Sequence, residues 1–137
     1  ATSKKRLLQE IARVADSVYG LPCKDIFTAL QDRELLGPTG MGNGVAIPHA
    51  RLACLDEVKG IFIRLDKAVD YESVDRQPVD LVFALLAPEG AGATHLKALA
   101  RVSRTLRDQT ICAKLRSSDD PNAMFSILTA SQTSKAA

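Results

Sequence analysis

Apolar positions along the first twenty residues recur at helical spacing. Leu7, Leu8, Ile11, Val14, Ala15 and Val18 form one stripe, with Lys, Arg, Glu and Gln on the other side, which predicts an amphipathic helix from Lys4 to Tyr19. Ser3 is a suitable N-cap, and Gly20-Leu21-Pro22 stops the helix. A second helix is predicted from Lys24 to about Leu35, burying Ile26, Phe27 and Leu30 and ending at Gly37-Pro38. The period then changes. Val58–Leu65 is rich in β-branched and aromatic residues and reads as a strand; Val79–Leu86 is almost continuously apolar and reads as a central strand. The polar connection between them leaves room for a short strand near Val69. A helix capped by Thr94 and running to about Arg107 follows, with Leu96, Leu99, Val102 or Ser103, and Leu106 as its core stripe. A short helix is predicted near Ile111–Arg116, and a last one opens on Asp120 as cap and Pro121 as first residue. Residues 1–3 and 131–137 are expected to fray.

This order predicts a single α/β domain over residues 1–137, with a mixed sheet flanked by helices. A fully parallel sheet is disfavoured, because the elements do not alternate βαβ.

Composition removes several classes of function. The charge is balanced, 18 basic against 16 acidic side chains, so no basic excess predicts capture of nucleic acid. No apolar run approaches the ~20 residues that span a bilayer, and the basic start leads into amphipathic sequence, not into the apolar core of a signal peptide. A cytoplasmic location is expected. Cys23, Cys54 and Cys112 form no CxxC pair, and reduced thiols in a reducing compartment are the simplest reading. No metal site and no cofactor are expected: two histidines and scattered carboxylates make no cluster by spacing. The sequence also lacks a P-loop, a G-x-S-x-G elbow and a dinucleotide fingerprint opening a helix.

One stretch is unusual. Residues 37–44 hold four glycines in eight positions, followed by Val45-Ala46-Ile47 and then Pro48-His49. A short strand after the loop would hold it against the core, and Pro48 would end ordinary ladder pairing. Successive amides at Gly40, Gly42, Asn43 and Gly44 can form a concavity for an anion. A lone histidine is more often structural than functional, but beside such a loop the imidazole of His49 is a plausible nucleophile, one nitrogen attacking phosphorus while the other donates to a backbone carbonyl. His95, in the first turn of its helix, and Arg33, at the end of the second helix, can supply donors to phosphoryl oxygens. The plainer readings are a structural histidine and a solvated helix-end cation. Arg51 reads more simply as a rim charge.

The segment Gly37-Pro38-Thr39-Gly40-Met41-Gly42-Asn43-Gly44-Val45-Ala46-Ile47-Pro48-His49, with Arg33-Glu34-Leu35-Leu36 before it and Gln77–Leu86 and Thr94–Leu99 after it, resembles the mannitol/fructose-type enzyme IIA proteins of the phosphoenolpyruvate-dependent phosphotransferase system, most of all their nitrogen-regulatory branch. The likeness runs from about Ser3 to Leu128. It implies a mixed sheet of about five strands flanked by helices and a phosphoryl carrier, an enzyme only as a phosphotransferase component with a phosphohistidine intermediate. It implies phosphorylation of His49 on Nε2 by an HPr-like phosphocarrier, with His95 and Arg33 as the supporting histidine and arginine, and regulation of target proteins by phosphorylation state. It also implies a short segment ahead of the first helix, so a start at Ala1 is expected of a shortened chain. A rim of apolar residues should receive the donor, with Met41 and Val45 as candidates. Two alternatives stand beside this reading: a sugar-specific IIA subunit passing phosphate to a IIB partner, and a non-catalytic anion-binding module.

Overall fold

A computed structural model describes residues 3–90 and 92–136, without the side chains of Cys23 and residues 130–136; of the ends expected to fray, residues 1, 2 and 137 lie outside the described residues, whereas Ser3 caps the first helix and 131–136 continue the last. Helix α1 (Lys4–Tyr19) opens on Ser3, whose hydroxyl accepts from the Arg6 N–H at 3.2 Å, and closes on Gly20, whose φ of 68° suits a residue without Cβ. It buries Leu7, Leu8, Ile11, Ala12 and Ala15, and the stripe ends there; Val18 is exposed. Helix α2 (Cys23–Leu35) packs along α1 and buries Ile26 and Leu30.

The glycine-rich stretch is a hairpin. Strand β1 (Gly40–Gly42) turns through Asn43 and Gly44, at φ 57° and 80°, into antiparallel β2 (Val45–Ala46). Paired positive φ at Asn-Gly is the backbone that tight hairpins require, a signal the sequence carries openly. Strand β3 (His49–Leu52) follows at once. Strand β4 (Lys59–Val69) runs on through an irregularity between Arg64 and Val69, absorbing the short strand expected near Val69. Strand β5 (Val79–Pro88) is the centre of the five-stranded mixed sheet: β2 and β3 pair with it in parallel, β4 antiparallel.

Ladder pairing breaks at Ile47-Pro48, as the chemistry of proline predicts, but it resumes at His49 without a slip. Val45 lies opposite Leu81 and His49 opposite Leu85, so β2 and β3 are collinear pieces in one register on β5. Pro48 lacks an N–H and leaves a gap, but its carbonyl still accepts from the Leu85 N–H at 3.0 Å. Alternation then sorts the side chains. Ala46, Ala50 and Leu52 join the core under α1 and α2; Val45 and Ile47 join a second core with Leu81 and Leu85, covered by α3 (Gly92–Arg107), α4 (Gln109–Ser117) and α5 (Pro121–Ala136). A strand buried on both faces needs a nearly continuous apolar run, as β5 has from Leu81 to Ala87.

Two local expectations change. Helix α3 begins on Gly92, so Thr94 lies inside it and is not its cap; Gly92 and Ala93 carry no side chain that competes with helical backbone. Its core phase runs through His95, Val102 and Leu106, and Leu96, expected inside, is 60% exposed. The final helix opens as predicted, the Asp120 carboxylate accepting from the Asn122 N–H at 3.0 Å.

The hairpin is fitted tightly to the connection after β4. A Cβ on Gly40 would stand 2.2 Å from the Ser73 Oγ and 3.2 Å from its Cα. Gly40→Ala should therefore destabilise the fold by about 1–3 kcal/mol, read as a lower urea midpoint at unchanged slope; an unchanged midpoint contradicts this packing.

Candidate functional site

Strand parity places His49 and Arg51 on the same side of β3, at the edge of the sheet beside α3. The His49 ring is bound at both nitrogens. Nδ1 lies 2.9 Å from the Ile47 carbonyl, an acceptor only, so Nδ1 carries the proton and donates. Nε2 therefore keeps its lone pair, which accepts from Arg33 Nε at 3.2 Å. Arg33 reaches it from the last turn of α2, braced by its own Nη1 donating to the Gly37 carbonyl at 2.9 Å. The His95 ring stands 5.5 Å from that of His49, tilted by 47°.

These groups line an open cleft of about 620 Å³, bounded also by Asp32, Arg51 and a set of apolar side chains, Leu36, Leu96 and Leu99 among them. Leu36 is 84% exposed and its neighbour Leu35 80%, a conspicuous apolar rim for a charged cleft. Met41 and Val45, the expected rim residues, are elsewhere: Val45 is buried in the second core and Met41 packs against it.

Both rings resist protonation. Burial is the main reason that the His49 pKa falls below its ordinary value, with Arg33 and Arg51 lowering it further, while the bond to Ile47 and the Glu34 carboxylate pull the other way. Burial also lowers His95, helped by His49 and Arg51. His95 is 4% exposed and its Nδ1 is buried without a hydrogen-bond partner, a poor setting for imidazolium. The site at neutral pH is thus two neutral imidazoles between two cations.

The structure brings together three of the predicted residues, His49, His95 and Arg33, with Arg51 as the anticipated rim charge. It does not bring Gly40, Gly42, Asn43 and Gly44 to them. None of the four lines the cleft, and Asn43 at the turn is engaged elsewhere: its N–H donates to the Asp75 carboxylate at 3.0 Å, and its carbonyl accepts from Arg116 Nη2 at 2.8 Å. The glycines serve the turn and its packing against Ser73 and Asp80, not a phosphate cradle. Sequence reasoning expected a backbone carbonyl at the second ring nitrogen without naming Ile47, and it missed Leu35 and Leu36, visible as an apolar pair at a helix end just before glycine. Among the described residues no group of three or more His, Cys, Asp and Glu side chains could hold a metal ion, and no helix is long and apolar enough to cross a membrane.

Known proteins resemble this chain in sequence and in fold. Residues 1–131 match the family described as "Phosphoenolpyruvate-dependent sugar phosphotransferase system, EIIA 2". The chain is 56% identical over 126 residues to the nitrogen regulatory protein of Bradyrhizobium diazoefficiens, covering 92% of this chain and 82% of that one. It is 41% identical over 129 residues to the nitrogen regulatory protein of Escherichia coli (strain K12), covering 93% and 78%. The crystal structure of nitrogen regulatory protein IIA-Ntr from Neisseria meningitidis superposes with a TM-score of 0.88 at 37% identity, covering 93% of this chain and 88% of that one.

Removing a cation beside a depressed histidine must raise its pKa. Arg33→Ala should move the His49 midpoint upward in an NMR titration of the imidazole shifts; an unchanged or lower midpoint contradicts the assigned contact. In the unaltered protein both rings should titrate below about 6.5. The unfolded chain then takes up protons first, so stability tied to the two neutral rings is complete above that pH and is lost as pH falls below it.

Proposed function

The chain belongs to the EIIA 2 family of the phosphoenolpyruvate-dependent phosphotransferase system, and we propose that it carries a phosphoryl group on His49 Nε2, received from an HPr-like phosphocarrier, and regulates target proteins by its phosphorylation state. One observation carries this reading: Nδ1 is committed to the Ile47 carbonyl, leaving Nε2 unprotonated in the cleft that Arg33 and His95 line.

Attack by the Nε2 lone pair forms the new N–P bond as the donor's P–N bond breaks in line, and the electron pair of the broken bond stays on the donor ring. The proton stays on Nδ1, hydrogen-bonded to the Ile47 carbonyl, which stabilises the positive charge that the His49 ring gains. Arg33 exchanges its bond to Nε2 for bonds to phosphoryl oxygens, whose geometry its planar fork matches. With Nδ1 of His95 buried, Nε2 is the nitrogen that a group on His49 can reach. Positioning and charge are the main sources of rate in such transfers. The exposed Leu35, Leu36 and Leu96 form the surface on which a donor seats, excluding water from the phosphoramidate.

The nitrogen regulatory names of the relatives support a regulatory role over sugar transport. Phosphorylation replaces a neutral ring beside exposed leucines with about two negative charges. A partner docked on that face therefore meets opposite electrostatics in the two states. The cytoplasm is the compartment in which such a donor works.

Incubation with phosphoenolpyruvate, enzyme I and an HPr-type carrier should add one acid-labile phosphate, absent in His49→Ala. Arg33→Ala should slow labelling by about 10²-fold. His95→Ala should impair onward transfer more than labelling. Label that survives in His49→Ala, or an unaltered chain that takes none, overturns the reading.

A further inference from the structure

Behind the cleft lies a nearly enclosed carboxylate. The Glu34 side chain is 6% exposed, and its partners come from three other segments. Lys4 Nζ, from the first turn of α1, is 2.9 Å from Oε2 and lies over the Tyr71 ring, 4.8 Å from its centroid. The Tyr71 hydroxyl donates to Oε1 at 3.0 Å; the Thr39 N–H donates to Oε2 at 3.3 Å, and the Thr39 hydroxyl donates to Oε1. Tyr71 is itself fully buried, and burial, with Glu34 beside it, pushes its phenol far above the ordinary value, so it stays a donor. A carboxylate in such a place is costly unless each oxygen is paired, and here both are.

Two arms leave this carboxylate and both end on His49 Nε2 or Nδ1. One is the adjacent residue, Arg33, whose Nε meets Nε2. The other runs through Thr39, whose carbonyl accepts from the Ile47 N–H at 3.0 Å, while the Ile47 carbonyl receives Nδ1. Nothing else among the described contacts ties the end of α2 to the strand before His49 through so few links. We propose that Glu34 is a positioning residue for phosphoryl transfer, holding the end of α2 and Thr39 as one unit so that the guanidinium and the imidazole keep their spacing. This rests on the reading of His49 as acceptor.

Its charge acts in the same sense. The groups that face the His49 ring are Asp32, Arg33 and Glu34 from α2, Arg51 from its own strand and His95 from α3. Glu34 sustains the basicity of the ring against Arg33 and Arg51. An anchor with a purely structural role affects melting alone; a positioning residue also changes the transfer step and the titration of His49.

The test is Glu34→Gln in the full chain, with transfer from a phosphorylated HPr-type carrier. The maximal rate should fall at least about tenfold, KM for the carrier should stay unchanged, and the NMR midpoint of His49 should shift from its original value. A folded Glu34→Gln protein with the original maximal rate and midpoint overturns the proposal. If that protein does not fold, Thr39→Val and Tyr71→Phe each remove one contact and should lower the maximal rate about threefold at constant KM; original rates in both overturn it. The titration is independent of activity, so an unaltered chain that accepts no phosphate defeats the functional reading and leaves the midpoint shift to decide this one.

Discussion

The register that β2 and β3 share along β5 is the constraint on which the site depends. Because pairing resumes after Pro48 without a slip, the residue that follows is held at a fixed height on the sheet edge and on a fixed face. A one-residue slip would turn His49 toward α1 and α2 and Ala50 toward α3. The gap at Ile47-Pro48 matters as much as the pairing. Beside it the Ile47 N–H donates to the Thr39 carbonyl, and the Ile47 carbonyl, turned from β5, receives Nδ1 two residues on. The tautomer of the His49 ring is thereby defined.

Around that ring the protein sets opposing influences. Burial and two arginines lower its proton affinity, while the Ile47 carbonyl and Glu34 restore part of it. The result is an imidazole that favours its neutral form beside two arginines, the setting that the proposed phosphoryl acceptor requires. The surface outside the cleft is of another kind. Leu35, Leu36 and Leu96 are apolar and uncovered, which suits a partner that comes and goes. The α2 terminus serves both purposes, since Arg33 turns inward, Glu34 locks the turn from behind, and the two leucines face out.

Much of the fold was legible. Both leading helices, the central strand and the last two helices follow from periodicity and caps, and β5 was marked as central because it is almost continuously apolar. The misses have physical causes. The Asn43-Gly44 turn was overlooked because the glycines around it were assigned to anion binding; their close neighbours, Ser73, Asp75 and Asp80, are distant in sequence. The phase of α3 was misjudged because Leu96 outranks His95 on any hydrophobicity scale, yet His95 is the buried one. Residue type, spacing and resemblance singled out His49, Arg33 and His95, which the fold brings to one cleft. The Ile47 carbonyl and the Glu34 network were not singled out, since a backbone acceptor has no sequence signature and a lone glutamate at a helix end reads as solvated.

The central claim concerns one ring nitrogen, and long-range ¹H–¹⁵N correlation of the His49 imidazole reads it directly. The account predicts a protonated Nδ1 with a bare Nε2 in the unloaded protein, and phosphorus bonded to Nε2 after loading. A proton on Nε2 in the unloaded state, or phosphorus on Nδ1 in the loaded one, contradicts it.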